Sequence, residues 1–153
     1  MYSGFRATCK KYHPIRVILL SAIFFACSGD INYTPPEGSK DIAITHYSFG
    51  KIIIDGKTYE NDVAIFPDGA VKSWQAKINH AIQLDDIKDL IDDSTKILII
   101  GIGADKNCTL TDDIAPYCQS KGVELAALNT YEAVKLFNKR TKTGLAACFH
   151  VNC

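Results

Sequence analysis

Apolar residues in this chain form short continuous runs, runs broken by turn dipeptides and runs with helical spacing, and each kind predicts a different element. The most uniform run is KILIIGIG, residues 96–103, in which apolar residues follow one another without alternation and two glycines end the run. This pattern of β-branched residues and leucine is typical of a strand covered on both faces of a parallel sheet. We therefore predict that this run is the central strand.

The segments after the central strand have the order of a parallel βαβαβ unit. Residues 105–122 are long enough for a helical crossover, and VELAAL at 123–128 predicts a second strand. Asn129 and Glu132 have the spacing of a capping box, which predicts that another helix begins there. A final apolar run at 145–151 predicts the last strand.

A hydroxyl followed by two acidic residues predicts the start of the crossover helix. Thr111 precedes Asp112 and Asp113, an order that is favoured at a helix N-terminus. A helix that begins at Thr111 places Pro116 beyond the first turn, so we expect the proline to distort the opening turns. The cation and glycine at 121–122 predict the end of the helix.

The N-terminal third of the domain has strand-like runs separated by turn residues. Runs at 49–54 and 57–60 flank Asp-Gly at 55–56, the dipeptide most typical of a two-residue hairpin. Two further runs, at 63–66 and 70–74, flank a Pro-Asp-Gly turn. These features predict an antiparallel β-meander.

Helical spacing returns between this meander and the central strand, where Leu84, Ile87, Leu90 and Ile91 predict a helix. A chain of 153 residues suits a single domain. The whole pattern predicts an α/β fold, namely a three-layer single domain with a mixed central sheet, a βαβαβ core and the N-terminal antiparallel β-meander.

The first 29 residues predict a signal or targeting segment. They contain four basic and no acidic residues, and the apolar run at 17–26 has the length of a secretory h-region but is too short to span a bilayer. Cys27 follows in a context that resembles a bacterial lipoprotein processing site, which makes it a candidate for lipidation and predicts export with membrane attachment. The alternatives are a mitochondrial leader, or a true start downstream and a cytoplasmic protein. Residues 30–41 predict a polar linker, so the domain covers 42–153.

Formal charge argues against one class of partner. The chain has 17 basic and 17 acidic residues, and without the basic N-terminal segment 13 basic residues face 17 acidic ones, a net charge of −4. Binding to nucleic acid needs a basic patch that replaces counterions on phosphate. We therefore expect no nucleic-acid partner.

The run KILIIGIGADKNCTLTDDIAPYCQSKGVELAALNTYEAVKLFN and the terminal FHVNC resemble the small Mth-type domain family of unknown biochemical function. The resemblance extends upstream to FGKIIIDGKTYENDV, Trp74 and His80, and so covers residues 42–153. Members of that family include an adipogenesis-associated cytoplasmic protein and a mitochondrial complex I assembly factor. The resemblance implies a three-layer α/β fold with a mixed central sheet, an intracellular setting and a role in protein assembly rather than a demonstrated reaction.

Gly101 and Gly103 follow the predicted central strand and precede a helix, which is the context of a dinucleotide-binding turn. Glycine in such a turn lets backbone N–H groups approach a pyrophosphate. Lys106 stands where the third glycine of the fingerprint belongs, so the alternative is a turn that only leads a buried strand out of the sheet. The carboxyl end of this strand is still where an α/β sheet places a ligand crevice.

His80 and Trp74 are further candidates for this crevice. His80 precedes Asp85 and Asp86, and an imidazole beside a carboxylate can act as a general base, while an indole can form the wall of a pocket for a planar ligand. The alternative is that Trp74 belongs to the core and that His80 is a loop residue bonded to backbone.

His150 and Cys153 have a spacing that offers two metal ligands, or a thiolate near an imidazole. A single pair of this kind is half of a zinc site, and the remaining cysteines of the domain, Cys108, Cys118 and Cys148, are scattered along the sequence. We therefore predict no metal site and no cofactor. These cysteines are expected to pair in an exported protein and to stay thiols in an intracellular one.

Two functions are consistent with these residues. No nucleophile elbow, phosphate-binding loop or EF-hand is present in the sequence, which favours a non-enzymatic binding or assembly-factor-like module with a protein partner and no catalytic residues. The alternative is a small-ligand or nucleotide-binding protein whose crevice lies at the glycine turn. This alternative includes a His-dependent enzyme. Its candidate ligand-binding residues are Trp74, His80, Gly101, Gly103, His150 and Cys153.

Overall fold

A computed structural model of the chain describes residues 29–152. In chain order, its elements are β1 (Ile31–Asn32), β2 (Ile44–Ser48), β3 (Lys51–Ile54), β4 (Lys57–Tyr59), β5 (Val63–Ile65), β6 (Val71–Ser73), β7 (Ala81–Ile82), α1 (Leu84–Ile87) with a 3₁₀ turn (Lys88–Leu90), β8 (Ile97–Gly101), β9 (Thr109–Leu110), α2 (Ile114–Ser120), β10 (Glu124–Leu128), α3 (Thr130–Lys139) and β11 (Leu145–Phe149). Cys27 and Cys153 lie outside the described residues, so lipidation at the first and ligand binding at the second stay predictions.

The central sheet has five strands in the order β10, β8, β11, β5 and β6. β8 pairs in parallel with β10 on one side and with β11 on the other, whereas β5 pairs antiparallel with β11 and with β6. All five residues of β8 are buried, as expected for a strand that other layers cover on both faces. The prediction of a mixed central sheet is confirmed. KILIIG forms an interior strand with a neighbour on each side, but the prediction that it is the central strand is wrong, because β11 holds the middle position of the five.

Each face of the central sheet has its own apolar core, because successive residues of a strand point to opposite faces. Ile97 and Ile99 of β8 belong to the first core, which includes residues of α3, β2 and β3. Leu98 and Ile100 belong to the second core, which includes residues of α1 and α2. These two covering layers and the sheet between them confirm the predicted three-layer α/β domain.

The strands β1 to β4 form a separate antiparallel sheet. Asp55 and Gly56, with φ of 47° and 77°, form the predicted turn between β3 and β4, because a type I′ turn needs two residues with positive φ. Phe49 and Gly50 turn the chain between β2 and β3, so the strand begins later than the apolar run at 49–54 predicts.

Three strands are placed differently from what the sequence predicts. β5 and β6 form the hairpin that the sequence places in the meander, but this hairpin joins the central sheet and supplies its antiparallel part. β1 lies within the predicted linker at 30–41 and pairs with β2.

The helix between β8 and β10 begins later than predicted. α2 starts at Ile114, whereas the Thr111 N–H and hydroxyl both donate to the Ile82 carbonyl, at 3.0 and 3.4 Å. The later start places Pro116 in the first turn, where a residue without an N–H has no intrahelical bond to lose. The predicted start at Thr111 and the predicted distortion by Pro116 are therefore wrong.

The next helix begins where the sequence predicts. The Asn129 side chain accepts a hydrogen bond from the Glu132 N–H at 2.9 Å and so caps α3. Among residues 29–152, no helix has the length and apolar character needed to cross a membrane.

Candidate functional site

The candidate site lies at the carboxyl ends of β8 and β11, where three of the predicted ligand-binding residues meet. β8 ends at Gly101 and leads into the turn at Gly103, while His150 directly follows β11. The His150 N–H donates to the Gly101 carbonyl at 2.9 Å. We call this region the carboxyl end of the sheet. It brings Gly101, Gly103 and His150 together because the parallel strands β8 and β11 end side by side.

Gly101 lacks a side chain because α3 begins directly against it. A Cβ atom at this position would lie 3.0 Å from Thr130 Oγ1, 3.1 Å from Phe149 Cδ1 and 3.3 Å from Thr130 Cα. Interiors are close-packed, so distances this short leave no room for a methyl group without a shift of its neighbours. The packing of the helix on the strand therefore accounts for this glycine without a phosphate.

The backbone groups of Gly103 are bonded to the first residue of α3. Gly103 has a φ of 93°, which glycine adopts without strain. Its N–H donates to Thr130 Oγ1 and its carbonyl accepts from the Thr130 N–H, both at 3.0 Å. The Thr130 hydroxyl in turn donates to the His150 carbonyl at 2.8 Å. A dinucleotide-binding turn would direct the Gly103 N–H at a pyrophosphate. In this protein, that N–H donates to the Thr130 side chain instead.

Asp62 is the partner of His150. Its side chain is 7% exposed, against 16% for that of His150. Asp62 Oδ1 accepts from the Val151 N–H at 2.7 Å, and Oδ2 pairs with His150 Nδ1. No hydrogen bond from a described residue reaches His150 Nε2. A carboxylate that orients one imidazole nitrogen and leaves the other unbonded is an arrangement suited to proton transfer.

A buried tyrosine completes this region. The Tyr47 ring packs edge-on against Tyr131, with 4.8 Å between the ring centroids. Its hydroxyl is buried and makes no hydrogen bond of normal geometry with a described residue. Burial raises the pKa of Tyr47 from 10.0 to about 12, and the neighbouring Thr130 hydroxyl offsets only part of this effect. Tyr47 is therefore a neutral phenol at physiological pH.

Sequence reasoning missed Asp62, Thr130 and Tyr47. Asp62 is 88 positions away from His150, so no local spacing connects them. A weak signal existed for two of these residues: Asp62 is an acid directly before the buried run VAIF, and Thr130 is a small polar residue directly after the capping asparagine. Both positions predict a polar side chain at the boundary of a buried element.

The Trp74 backbone joins the carboxyl end, because its N–H donates to the Asp62 carbonyl at 2.9 Å. The indole packs against the second core, and its N–H donates to the Asp86 carbonyl at 2.7 Å. His80 is exposed, has a φ of 60° and accepts bonds at its carbonyl from the Thr109 N–H and hydroxyl, at 2.9 and 3.2 Å. These placements match the core and loop alternatives, and ligand binding by either residue stays a prediction.

The described cysteines lie inside the second core. Cys108, Cys118 and Cys148 are all buried and belong to that core, and Cys118 and Cys148 are free thiols. Burial raises the pKa of the Cys118 and Cys148 thiols, which disfavours the thiolate needed by a nucleophile or a metal ligand. Within residues 29–152, no group of three or more histidine, cysteine or acidic side chains is placed to hold a metal ion.

Two clefts lie at the opposite end of the sheet, near the first residue of β11, which we call the amino end. Their volumes are about 350 and 290 Å³, and Asp41, Ile42 and Lys142 line both. Lys142 Nζ donates to the carbonyls of Phe137 and Arg140, at 2.5 and 2.8 Å, where α3 ends. Burial lowers the pKa of Lys142, and the charge of Asp41 opposes this effect.

The chain is similar to known proteins over most of this fold. A family model described as a protein of unknown function (DUF498/DUF598) matches residues 44–150.

Solved structures of similar fold include conserved hypothetical protein PH1505 from Pyrococcus horikoshii OT3, with a TM-score of 0.65 and 24% identity over 72% of this chain and 98% of that chain. MT938 matches with a TM-score of 0.61 and 21% identity, over 74% of this chain and 100% of that chain. An Mth938-like domain protein from Bordetella pertussis, solved by NMR in solution, matches with a TM-score of 0.60 and 17% identity, over 78% of this chain and 91% of that chain. At these identities the likeness concerns the fold alone.

Proposed function

Because this chain belongs to the DUF498/DUF598 family of proteins of unknown function and has an Mth938-like fold, we propose that it is a non-enzymatic module that binds a protein partner, in the manner of an assembly factor. The resemblance to the Mth-type family predicted from the sequence is confirmed. The family assigns no reaction, so the proposal depends on the chemistry of the surface.

The observation that supports the proposal is an exposed aromatic side chain on a fixed turn. Phe49 is 61% exposed at the tip of the β2–β3 hairpin. The next residue, Gly50, donates its N–H to the Val151 carbonyl at 3.0 Å, so the turn is bonded to the segment that follows His150. An aromatic ring on a fixed backbone loses little conformational entropy when it is buried by a partner, which makes it a typical anchor of an interface.

The hydrogen bonds at the carboxyl end also favour the binding of a protein partner over catalysis. Thr130 occupies the Gly103 N–H, and Asp62 holds both His150 and the Val151 N–H. The described cysteines are buried in the second core. A partner that lies against this end would therefore meet exposed side chains such as Phe49 rather than an open reaction centre.

Affinity capture from native extract with the wild-type chain and with Phe49→Ser tests the proposal. We expect at least one protein to be retained by the wild type and lost with Phe49→Ser, because the substitution removes an exposed aromatic anchor without removing a core residue. Ile78→Ser is the matched control, since Ile78 is 50% exposed and also apolar. A set of retained proteins that does not change with Phe49→Ser would contradict the proposal.

A second candidate function is the binding of a small ligand or nucleotide at the glycine turn, with acid–base chemistry by His150. The observation in its favour is the pairing of His150 Nδ1 with Asp62, since Nε2 stays unbonded among the described residues. Thermal-shift measurements with nucleotides and small organic anions test it, because a bound ligand raises the melting temperature by mass action. A shift with the wild type that disappears in His150→Asn is the expected result, and a flat screen rejects this candidate.

We further propose that the chain is exported and held at a membrane through a lipid on Cys27, with a cytoplasmic or mitochondrial protein as the alternative. The apolar run and the cysteine that follows it support the first location. Mass spectrometry of the N-terminus of the native protein distinguishes them: a diacylated cysteine as the first residue supports export, and an unmodified upstream or downstream start rejects it.

A further inference from the structure

At one edge of the central sheet, backbone N–H and carbonyl groups make no hydrogen bond to any described residue. This edge is β10, which pairs with β8 and with no other described strand. The Glu124 N–H donates to the Lys96 carbonyl at 2.9 Å, and the direction of bonding alternates along a strand. Leu125 and Ala127 therefore direct their N–H and carbonyl groups away from the sheet. The edge offers two donors and two acceptors, placed symmetrically about the residue between them.

The β10 edge lacks the features that protect free edges in natural sheets, which are short length, lysine, proline and bulges. β10 has five residues, and its last four, LAAL, carry no charge. By contrast, the edge strand β6 has three residues including Lys72, and β4 has three residues including Lys57. The remaining edge strands of the described sheets, β1, β7 and β9, have only two residues each. β10 is thus the longest edge of the described sheets and the one most open to pairing.

We propose that β10 pairs antiparallel with β10 of a second copy of this chain, around a two-fold axis at Ala126. In this register Leu125 of one copy lies opposite Ala127 of the other, and an antiparallel pair of this type exchanges both N–H···O bonds. The two-fold axis repeats the exchange, so all outward groups of β10 find partners. The two central sheets then form one continuous sheet.

Charge along the edge fits a second copy. Glu124 is the acidic residue of β10, and Arg140 of the same copy bonds it at 3.0 Å. Antiparallel pairing places the two Glu124 side chains at opposite ends of the interface, so no like charges lie opposite each other. The interface centre, around Ala126, is small and uncharged, which lets the two strands approach.

Half-buried apolar side chains of β10 also favour a second copy as the partner. Leu125 packs against the second core and Leu128 against the first, and both are only half-buried. All five residues of β8, which has a strand on each side, are buried. A second β10 would cover the leucines from the open side, on both faces of the sheet at once.

Analytical ultracentrifugation of the full chain over a dilution series tests this interface. We expect the wild type to sediment as a dimer, at twice the 16.8 kDa of one chain, and Ala127→Pro to be shifted to monomer at the same concentrations. Proline at 127 removes an outward N–H and leaves the bonds to β8 in place. Ala127→Ser keeps the N–H and is the matched control, which we expect to stay dimeric.

A second variant and hydrogen exchange test the dimer independently of whether Ala127→Pro folds. Ala127→Lys retains the N–H but places two cations near each other at the axis, so it should also be monomeric if Ala127→Pro fails to fold. In the wild type, hydrogen exchange at the Leu125 and Ala127 amides should slow as concentration rises. A monomeric wild type, or a dimer that persists in both Ala127→Pro and Ala127→Lys, overturns the proposal, because association through residues 1–28 would not respond to position 127.

Discussion

The two ends of the central sheet use their polar residues in different ways. At the carboxyl end, Asp62, Thr130 and His150 bond to one another or to neighbouring backbone groups, and these bonds close the region. At the amino end, Lys142 bonds the last carbonyls of α3, yet two clefts remain beside it. Histidine, aspartate and glycine at the carboxyl end of an α/β sheet can thus serve the fold, while space for a ligand lies elsewhere.

The physical reason is the cost of buried polar groups. A donor or acceptor that loses water and finds no partner costs about 1–3 kcal/mol. Asp62 and Thr130 are both buried, and each satisfies two groups at once, so they support the junction of β5, β8, β11 and α3. Substitutions at the two ends should therefore affect stability in a predictable order.

Asp62→Ala is expected to have the largest effect. It leaves the Val151 N–H and His150 Nδ1 without their buried partner, so the free energy of unfolding should fall by about 3 kcal/mol. Urea unfolding measures the loss. Asp62→Asn keeps an oxygen acceptor for Val151 and serves as the control, with a clearly smaller loss. A loss below about 1 kcal/mol for Asp62→Ala would break the comparison, because the carboxyl end would then not depend on this side chain.

Two glycine substitutions compare the ends directly. At the amino end, a Cβ on Gly144 would lie 2.6 Å from the Ser94 carbonyl oxygen, and its φ is 70°. At the carboxyl end, a Cβ on Gly101 would lie 3.0 Å from the Thr130 hydroxyl. We expect Gly144→Ala to lower the free energy of unfolding by about 2–3 kcal/mol and Gly101→Ala by about 1–2 kcal/mol. Thermal unfolding of both variants checks the order, and the reverse order would contradict the packing described for α3.

Thr130→Val tests whether the Thr130 hydroxyl stabilises the carboxyl end. Valine keeps the shape of threonine but removes the hydroxyl that bonds both Gly103 and His150. The loss should be about 2 kcal/mol in urea unfolding, because a buried donor and a buried acceptor are left unsatisfied. Thr130→Ser keeps the hydroxyl and should lose about 1 kcal/mol or less. Equal losses for the two variants would show that the methyl group, not the bonds, matters here.

Tyr47→Phe should have the smallest effect at neutral pH, less than about 1 kcal/mol, because the buried hydroxyl makes no hydrogen bond of normal geometry with a described residue. The stabilities of the wild type and Tyr47→Phe should differ at alkaline pH. The pKa of Tyr47 rises from 10.0 to about 12 on folding, so its contribution to stability is complete below pH 10 and is lost as the pH rises from 10 towards 12. Over that window the wild type should lose about 2–3 kcal/mol relative to Tyr47→Phe. Parallel pH profiles of the two proteins would contradict the burial effect.

Local patterns predicted the parts of the fold that depend on neighbours in sequence. The buried run of β8, the turn at Asp55 and Gly56 and the cap at Asn129 each lie within a few residues of the features that cause them. The start of α2 was wrong because Thr111 bonds Ile82, a contact across β7 and β9 that no local pattern contains.

The candidate site could be predicted only in part. The end of a parallel strand predicted that Gly101, Gly103 and His150 would meet, since that follows from topology. The residues that decide the chemistry there, Asp62 and Thr130, are brought in by β5 and α3, and their roles depend on three-dimensional packing. Ligand binding at these residues stays a prediction.

The carboxyl end is closed by its own side chains. Amide hydrogen exchange followed by NMR tests it at the Gly103 and Val151 N–H groups, which donate to Thr130 Oγ1 and Asp62 Oδ1. Both amides should exchange nearly as slowly as those of β8, and exchange should be faster at Gly103 in Thr130→Val and faster at Val151 in Asp62→Ala. Exchange of both amides in the wild type at the rate of exposed loop amides would contradict it.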